Sequence, residues 1–243
     1  MQLVPPIIPQ LWDWKTSVSQ FFGVNKKTYQ PVFGIPGHNG IDIVVRGDKR
    51  GYGTPIVAAH DGIVEKIIQD VPHTTRGNGI YIMSLDGKFS TNYWHLSQFN
   101  VHVGQKVKAE ETIGLMGNSG FVKPPPTQVC PHCGTHLHFG LKIHGLVNEY
   151  KGFVDPTPHL FKEGEKLPFK FLYDMFVGKQ GDDVSHLQTI LKIEGFAEDY
   201  EPIGYFGMKT LRDVRKLQQK YGITPSYGYA GYKTRLFLKG KYT

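Results

Sequence analysis

Short segments of alternating apolar and polar residues run along the chain up to about residue 155. They are rich in β-branched and aromatic residues and are separated by Gly, Pro or Asn, which is typical of half-buried strands joined by turns. Asp86-Gly87 predicts a tight hairpin between two of them, and His144-Gly145 predicts another turn. No helical stripe interrupts this region, so we predict an antiparallel β domain. The predicted strands are 41–45, 63–68, 80–85, 89–96, 101–107 and 136–143.

The period changes to that of helices beyond Gly181. A first helix is predicted behind Asp182 and Asp183, which are candidate N-cap residues, and a second helix from about Met208. A third and shorter helix is predicted around residues 233–238. The apolar positions of the first two helices are Val184, Leu187, Ile190, Leu191, Leu211, Val214, Leu217 and Tyr221.

The segment between the two patterns carries the turn-forming and loop-forming sequences DPTP, EGEK and LP. We therefore predict an α+β protein with two domains. An antiparallel β domain covers residues 1–163, a linker covers residues 164–177, and a small three-helix module covers residues 178–243.

The composition excludes two classes of protein. Of the 243 residues, 40% are hydrophobic, which suffices for a packed core and excludes a wholly disordered chain. No apolar run approaches the ~20 residues of a membrane-spanning helix, and an N-terminal stretch broken by three prolines does not match a signal peptide.

The formal net charge of +7 is compatible with a polyanionic partner. The basic–aromatic motifs of a nucleic-acid binder are missing, so we expect neither nucleic acid nor a membrane as partner.

Several histidines and one aspartate are candidates for metal chemistry. His38 and Asp42 are four residues apart, so in an extended chain their side chains point to one face of the sheet. His136 and His138 alternate with apolar residues on another strand, and His95 ends a third. Histidines with a carboxylate are the ligands of a catalytic zinc site, which keeps one position for water. Each motif alone also fits a plainer interpretation, such as a solvent-facing aspartate, exposed strand histidines or a structural histidine.

Taken together and in this order, the three motifs resemble the lysostaphin/LytM-type zinc metallopeptidases, the M23 endopeptidase family that cuts peptidoglycan cross-links. The corresponding segments are residues 38–42 (HNGID), 93–97 (YWHLS) and 136–138 (HLH). The resemblance extends over about residues 17–160. It implies the fold and the activity of that family for the β domain.

The resemblance also implies a set of site residues. One Zn²⁺ per chain would be held by His38, Asp42 and His138, and the catalytic histidines that do not bind metal would be His95 and His136. One of these two would take the proton of the attacking water and pass it to the leaving amine, while the other would hydrogen-bond the tetrahedral oxyanion. The sequence does not assign which histidine has which role.

One loop departs from the family pattern. Residues 121–134 (FVKPPPTQVCPHCG) stand where the family has a short Gly-Pro-His stretch, and Thr135 stands where Pro is usual. Gly140 replaces a frequent glutamate that is not a ligand. We expect the inserted loop to form a wall of the substrate groove, so it affects substrate preference rather than the metal site.

The two cysteines of the CPHC sequence in this loop allow three interpretations. They could be a redox pair, although the βαβ context that activates such a pair is missing. They could form half of a second metal site with His132 or His144. We favour a loop staple, either a disulfide outside the cell or two thiols inside it.

The C-terminal module resembles the peptidoglycan-binding domain 1 type, a three-helix module that targets the cell wall. The matching segments are residues 181–196, 204–223 and 228–238. The second helix also carries a basic stripe, which is either a solvated helix face or a contribution to wall adhesion. The stripe consists of Lys209, Arg212, Lys216 and Lys220.

These resemblances lead to the expectation of a monomeric, zinc-dependent endopeptidase that cuts peptide cross-links or stem peptides of bacterial peptidoglycan. It would act on the cell wall, outside the cytoplasm, and a phage endolysin or a mature enzyme written without its leader would both fit. The alternative is a catalytically silent peptidoglycan-binding or scaffold protein. Degenerate relatives of this kind lose ligands, whereas all five site positions are filled here.

Overall fold

The computed structural model describes residues 1–69, 77–198 and 200–243. Contacts divide the chain into two compact units. The first, called the β unit, comprises residues 1–20 and 40–154, and the second, called the helical unit, comprises residues 21–39 and 155–243. Residues 21–39 thus pack with the C-terminal part of the chain. The predicted domain limits refer to segments of sequence and stay a prediction.

The strands are short and lie in the β unit. They are β1 (Val18–Gln20), β2 (Ile41–Ile43), β3 (Pro55–Val57), β4 (Gly62–Ile68), β5 (Gly79–Ser84), β6 (Phe89–Trp94), β7 (Leu96–Phe99), β8 (Lys106–Val107), β9 (Thr112–Met116), β10 (Leu137–Ile143) and β11 (Phe153–Val154). The α-helices are α1 (Trp14–Ser17), α2 (Lys26–Phe33), α3 (Thr157–Leu160), α4 (Asp182–Ile193), α5 (Met208–Lys220) and α6 (Tyr232–Tyr242).

The described strands form two antiparallel sheets. The larger has the order β1-β2-β10-β6-β5-β4-β8, with β11 paired to β10, and the smaller has the order β3-β9-β7. The predicted antiparallel architecture is therefore confirmed. The alternation of apolar and polar residues determines which face of the larger sheet packs into the core. On that face, Ile41 and Ile43 of β2 and Leu137 and Phe139 of β10 are fully buried.

The predicted hairpin at Asp86-Gly87 joins β5 to β6. The Asp86 carboxylate accepts hydrogen bonds from the Ser84 hydroxyl and the Lys88 backbone N–H. Gly87 adopts a left-handed backbone conformation with φ of 70°, which glycine tolerates without a steric cost. The sequence 101–107 departs from the prediction, because only β8 pairs and Gly104 turns the chain with φ of 87°.

The helical unit contains the three predicted C-terminal helices as α4, α5 and α6. The four predicted apolar positions of α4 are all buried. The N-cap of α4 is Gly181 rather than an aspartate, and Asp182 and Asp183 lie in the first turn, where their charges favour the helix dipole. The third helix is longer than predicted, since α6 continues to Tyr242.

Residues 21–39 add a further layer to this unit. The Phe21 ring lies edge-on against Phe169 with centroids 4.7 Å apart, and the Ser185 hydroxyl donates to the Gly23 carbonyl at 3.2 Å. Helix α2 was not predicted: it contains Pro31, which disfavours a helix interior, and it has no buried residue.

No helix in the described part of the chain combines the length and the apolar character needed to cross a membrane.

Candidate metal centre

The register of the large sheet brings Asp42 and His138 together. β2 and β10 are antiparallel, and Asp42 is the direct partner of His138, so their side chains leave the sheet on the same face. The Asp42 Oδ1 lies 3.1 Å from His138 Nδ1 and 3.8 Å from His136 Nε2. The apolar neighbours of both residues point to the opposite, buried face. The strand alternation therefore places a carboxylate and imidazoles in one partly buried cluster.

His38 is fixed mainly by backbone groups. Its N–H donates to the Val24 carbonyl at 2.9 Å, and its carbonyl accepts from Gly23 N–H at 2.8 Å. The His38 Nδ1 lies 3.1 Å from the Phe21 carbonyl, to which it donates, so Nε2 keeps its lone pair. The side chain is fully buried, and Tyr29 lies beside the ring with centroids 5.1 Å apart.

The three predicted ligands form one group. One donor atom from each of His38, Asp42 and His138 lies within 4.8 Å of the others, and the described residues contain no other group of three that meets this test. Two imidazole nitrogens and one carboxylate oxygen are a donor set that Zn²⁺ accepts with a fourth position left open. The residues present therefore fit a catalytic zinc ion.

The other two predicted site histidines lie beside this group. The rings of His95 and His136 have centroids 4.5 Å apart, and His95 and His138 have centroids 6.4 Å apart. The His95 Nδ1 donates to the Ser119 carbonyl at 2.8 Å, and the His136 Nδ1 donates to the Gly134 carbonyl at 2.7 Å. Both rings are thereby held as the tautomer with a lone pair on Nε2, the nitrogen that can exchange a proton with a substrate.

His95 also has an unusual backbone. Its φ is 66°, in the left-handed region that non-glycine residues rarely adopt and that often marks a functional position. Burial, and secondarily the nearby His136, lowers the pKa of His95 to about 3. Its imidazole is thus neutral near pH 7. Sequence reasoning found the residue but neither its backbone conformation nor the carbonyl groups that orient the two rings, because both depend on loops far away in sequence.

Tyr93 of the second motif has a structural position. Its hydroxyl accepts a hydrogen bond from Ala59 N–H at 2.8 Å and from the Thr91 hydroxyl at 3.0 Å. The side chain is fully buried, and burial raises the pKa of Tyr93 to about 12. The residue therefore ties β6 to the chain near Ala59 rather than facing the cluster.

In the inserted loop, Cys130 and Cys133 form a disulfide. Bonded sulfurs do not ligate a metal as thiolates, so the half-site interpretation of CPHC is not supported. A residue just after β9 also holds this loop, because the side-chain amide of Asn118 donates hydrogen bonds to the carbonyls of Pro131 and Cys133. His132 packs against Tyr52 with ring centroids 4.5 Å apart.

Comparison with known proteins agrees with this picture. Residues 36–150 match the model of the family described as Peptidase family M23, and residues 180–238 match that of a putative peptidoglycan binding domain. An uncharacterized metalloprotease of Haemophilus influenzae is 38% identical over 130 residues, which are 53% of this chain and 23% of that protein. The peptidoglycan DD-endopeptidase ShyC of Vibrio cholerae is 35% identical over 135 residues, which are 55% of this chain and 26% of that protein.

Among solved structures, that of lysostaphin from Staphylococcus simulans is similar with a TM-score of 0.46 and 25% identity, covering 61% of this chain and 51% of that one. The chain spans about a quarter of the length of the two curated relatives. Peptidases of family M23 depend on zinc, so the predicted cofactor agrees with the family. Residues 36–150 of this chain are therefore similar to Peptidase family M23, and residues 180–238 are similar to a putative peptidoglycan binding domain.

Proposed function

We propose that the protein is a zinc-dependent endopeptidase that hydrolyses peptide cross-links or stem peptides of bacterial peptidoglycan. The observation that carries the proposal is the cluster formed by His38, Asp42 and His138, whose donor atoms lie within 4.8 Å of one another. Two further histidines with available Nε2 atoms lie beside the cluster. A metalloendopeptidase needs both parts, a metal centre and groups that move protons.

We assign His38, Asp42 and His138 as the ligands of one zinc ion. When bound, zinc polarises a peptide carbonyl as a Lewis acid and lowers the pKa of a water molecule towards neutrality. The chain's own contribution is to orient the donors. The Phe21 carbonyl holds the His38 ring, and the β2–β10 register holds Asp42 against His138.

His95 and His136 are the proposed proton-transfer residues. Because each ring donates from Nδ1 to a carbonyl, each can accept a proton at Nε2 and return it there. One histidine takes the proton of the attacking water and gives it to the leaving amine. The other takes up a proton from solvent at Nε2 and donates a hydrogen bond from it to the oxyanion of the tetrahedral species.

The C-terminal module is the proposed wall-targeting part. The match to a putative peptidoglycan-binding domain over residues 180–238 supports this role. Holding the enzyme on its insoluble substrate raises the effective concentration of scissile bonds. The proposed place of action is therefore the bacterial cell wall.

The experiment combines a metal measurement with a product measurement. Purified protein is analysed for zinc by plasma mass spectrometry, and its action on purified peptidoglycan is followed by the new amino groups released and by mass spectrometry of the fragments. We expect one zinc per chain, and amino groups rather than reducing sugars as products. The fragments then identify the bond that is cut.

The matched pair of variants is Asp42→Asn and Asp61→Asn. Asp42 belongs to the cluster, whereas Asp61 is an exposed aspartate that pairs with Lys108 at 2.7 Å. We expect Asp42→Asn to lose zinc and hydrolysis and Asp61→Asn to keep both. Wall binding without any hydrolysis by the zinc-loaded wild type would instead support a silent binding protein.

A further inference from the structure

The helical unit contains an internal duplication, visible in both its sequence and its hydrogen bonds. The loop before α5 and the loop before α6 carry the related sequences GYFGMKT (204–210) and GYAGYKT (228–234). Glycine, tyrosine, glycine, lysine and threonine recur at the same positions. Each copy ends in the first turn of its helix, since α5 begins at Met208 and α6 at Tyr232.

The two copies also have the same internal structure. In the first, the Gln188 amide donates to the Tyr205 carbonyl at 2.9 Å and to the Thr210 hydroxyl at 3.0 Å, and its Oε1 accepts from Gly204 N–H at 3.0 Å. These bonds fix the loop from the buried side.

In the second copy, the Gln218 amide donates to the Tyr229 carbonyl at 2.8 Å and to the Thr234 hydroxyl at 2.9 Å, and its Oε1 accepts from Gly228 N–H at 2.9 Å. Gln188 and Gln218 are almost completely buried. A buried glutamine therefore holds each of the two loops through an equivalent set of hydrogen bonds.

What the loops present to solvent is aromatic. Tyr205 is 40% exposed and Tyr229 is 46% exposed. Each tyrosine ring lies over the glycine two positions later, Gly207 or Gly231, where an added Cβ would meet the ring. Both tyrosine rings are therefore exposed, and each packs against the glycine two positions later.

One segment connects the two copies. Met175 forms a β-bridge with Ala230 of the second loop, and Gln180 forms a β-bridge with Tyr205 of the first. Phe176 between them is exposed and stacks on Tyr229, with centroids 6.1 Å apart. Because the five residue steps from Met175 to Gln180 span at most about 17 Å, the two loops lie close enough for one extended polymer to reach both. We group Tyr205, Tyr229 and Phe176 under the name paired-tyrosine surface.

We propose that the paired-tyrosine surface binds the glycan strand of peptidoglycan, with one equivalent subsite at each tyrosine. A duplicated subsite matches a ligand that repeats, and the sugar backbone of peptidoglycan repeats whereas its stem peptide does not. Supported, exposed aromatic rings offer flat apolar faces that suit the C–H faces of sugar rings. This inference rests on the proposed wall binding and goes further by naming the component bound and the residues that bind it.

The test uses the full-length protein and glycan strands freed of stem peptides by an amidase, with soluble stem peptides as the second ligand. Variants Tyr205→Ala and Tyr229→Ala are each expected to weaken binding to glycan strands about 3- to 10-fold, and the double variant about 10- to 100-fold. Tyr205→Phe and Tyr229→Phe keep the ring and should bind like the wild type, even though Tyr229→Phe loses the hydroxyl contact to Asp174. Thermal unfolding shows whether each variant is folded.

Tyr227→Ala is the matched control. Tyr227 is 73% exposed in the second loop, but its counterpart in the first copy is Ile203. It should bind glycan strands normally. If the wild type binds whole walls, and the folded double variant binds glycan strands as tightly as the wild type does, the proposed subsites are wrong. Wall targeting by the module would then still stand. Binding to stem peptides but not to glycan strands would overturn the proposed ligand. Failure of the wild type to bind walls would contradict wall targeting as well.

Discussion

In the β unit, Asp42 and His138 of the candidate site lie on strands far apart in sequence, and sheet register holds them together. Asp42 and His138 are 96 positions apart. In the helical unit, each buried glutamine holds a loop that begins 10 to 16 positions later. The sheet register of the β unit joins two distant residues once, and the helical unit builds one local arrangement twice.

This difference has a consequence for mutations. The cluster of His38, Asp42 and His138 has no second copy among the described residues, so we expect the loss of one donor to remove its function. The helical unit has two equivalent loops, so the loss of one leaves the other in place. Variants of the three proposed ligands should therefore act on hydrolysis in an all-or-none way, and variants of the two helical-unit loops should act on wall binding in steps.

The largest effect is expected from His138→Ala. It removes a proposed zinc ligand and leaves the Asp42 carboxylate without its closest imidazole, so both zinc and hydrolysis should fall below detection. Binding to walls should not change, because the paired-tyrosine surface lies in the other unit. Zinc analysis, amino-group release and wall sedimentation on the same sample check this separation. His102→Ala, which changes an exposed histidine, is the control. Stoichiometric zinc in His138→Ala would remove this residue from the ligand set.

His95→Ala and His136→Ala should lose about 10²- to 10⁴-fold in turnover while keeping zinc, since proton transfer operates only during reaction. The two variants separate metal binding from catalysis within a single cluster. Their kcat on a soluble peptide and their zinc content are the quantities to measure. If either protein is isolated without metal, that residue is a ligand and one of the three proposed ligands is not.

Gln188→Leu and Gln218→Leu test the equivalence of the two loops. Each change removes the hydrogen bonds from the glutamine to its loop, including the one that the buried Gly204 or Gly228 N–H donates, so each should lower the free energy of unfolding by about 2–4 kcal/mol. Urea unfolding of the two variants measures the effect. A large loss in one and none in the other would show that the loops are alike in sequence only.

The acid sensitivity of the helical unit should depend on His186. Burial lowers the pKa of this histidine to about 4, and its ring stacks on Phe169 with centroids 4.1 Å apart. Since the unfolded chain takes up the proton near pH 6.5 and the folded chain only near pH 4, stability falls as the pH drops between these values. The loss is about 1–3 kcal/mol. His186→Leu should flatten this part of the stability–pH curve, and an unchanged curve would assign the acid sensitivity to other groups.

The smallest effect is expected from the salt concentration acting on wall binding. In the predicted basic stripe, Arg212 and Lys216 contact Asp213, and Lys220 contacts Glu194. Charges already paired contribute little to a partner. Wall binding should therefore fall only a few-fold between low and physiological salt, as sedimentation at a series of salt concentrations would show. A steep decline would restore the stripe as a binding element.

The sequence predicted most of the elements around the site, because their side chains follow a simple period. The strands containing Asp42 and His138 alternate clearly, and the apolar positions of α4 recur at three and four. The candidate residues were also found from sequence, through the resemblance of three motifs taken together. Their roles stay a prediction, although His38, Asp42 and His138 do lie together.

What could not be predicted depends on contacts between distant residues or on backbone geometry. The pairing of Asp42 with His138 is a matter of register, which strand sequences do not encode one by one. The left-handed backbone of His95 is held by its surroundings and has no local signal. Helix α2 contains Pro31, which in a sequence argues against a helix, and the predicted strand at 101–107 contains the turn at Gly104.

The packing of residues 21–39 against the C-terminal helices bears on the design of hybrid enzymes. Modular wall hydrolases invite the exchange of one targeting module for another by cutting at the linker. Here such a cut would deprive Phe21 of its contact with Phe169 and the Gly23 carbonyl of the Ser185 hydroxyl. Gly23 also fits so closely against the Pro202 carbonyl that no side chain could take its place. A foreign module would have to supply a surface of matching shape, or residues 21–39 would have to be replaced with it.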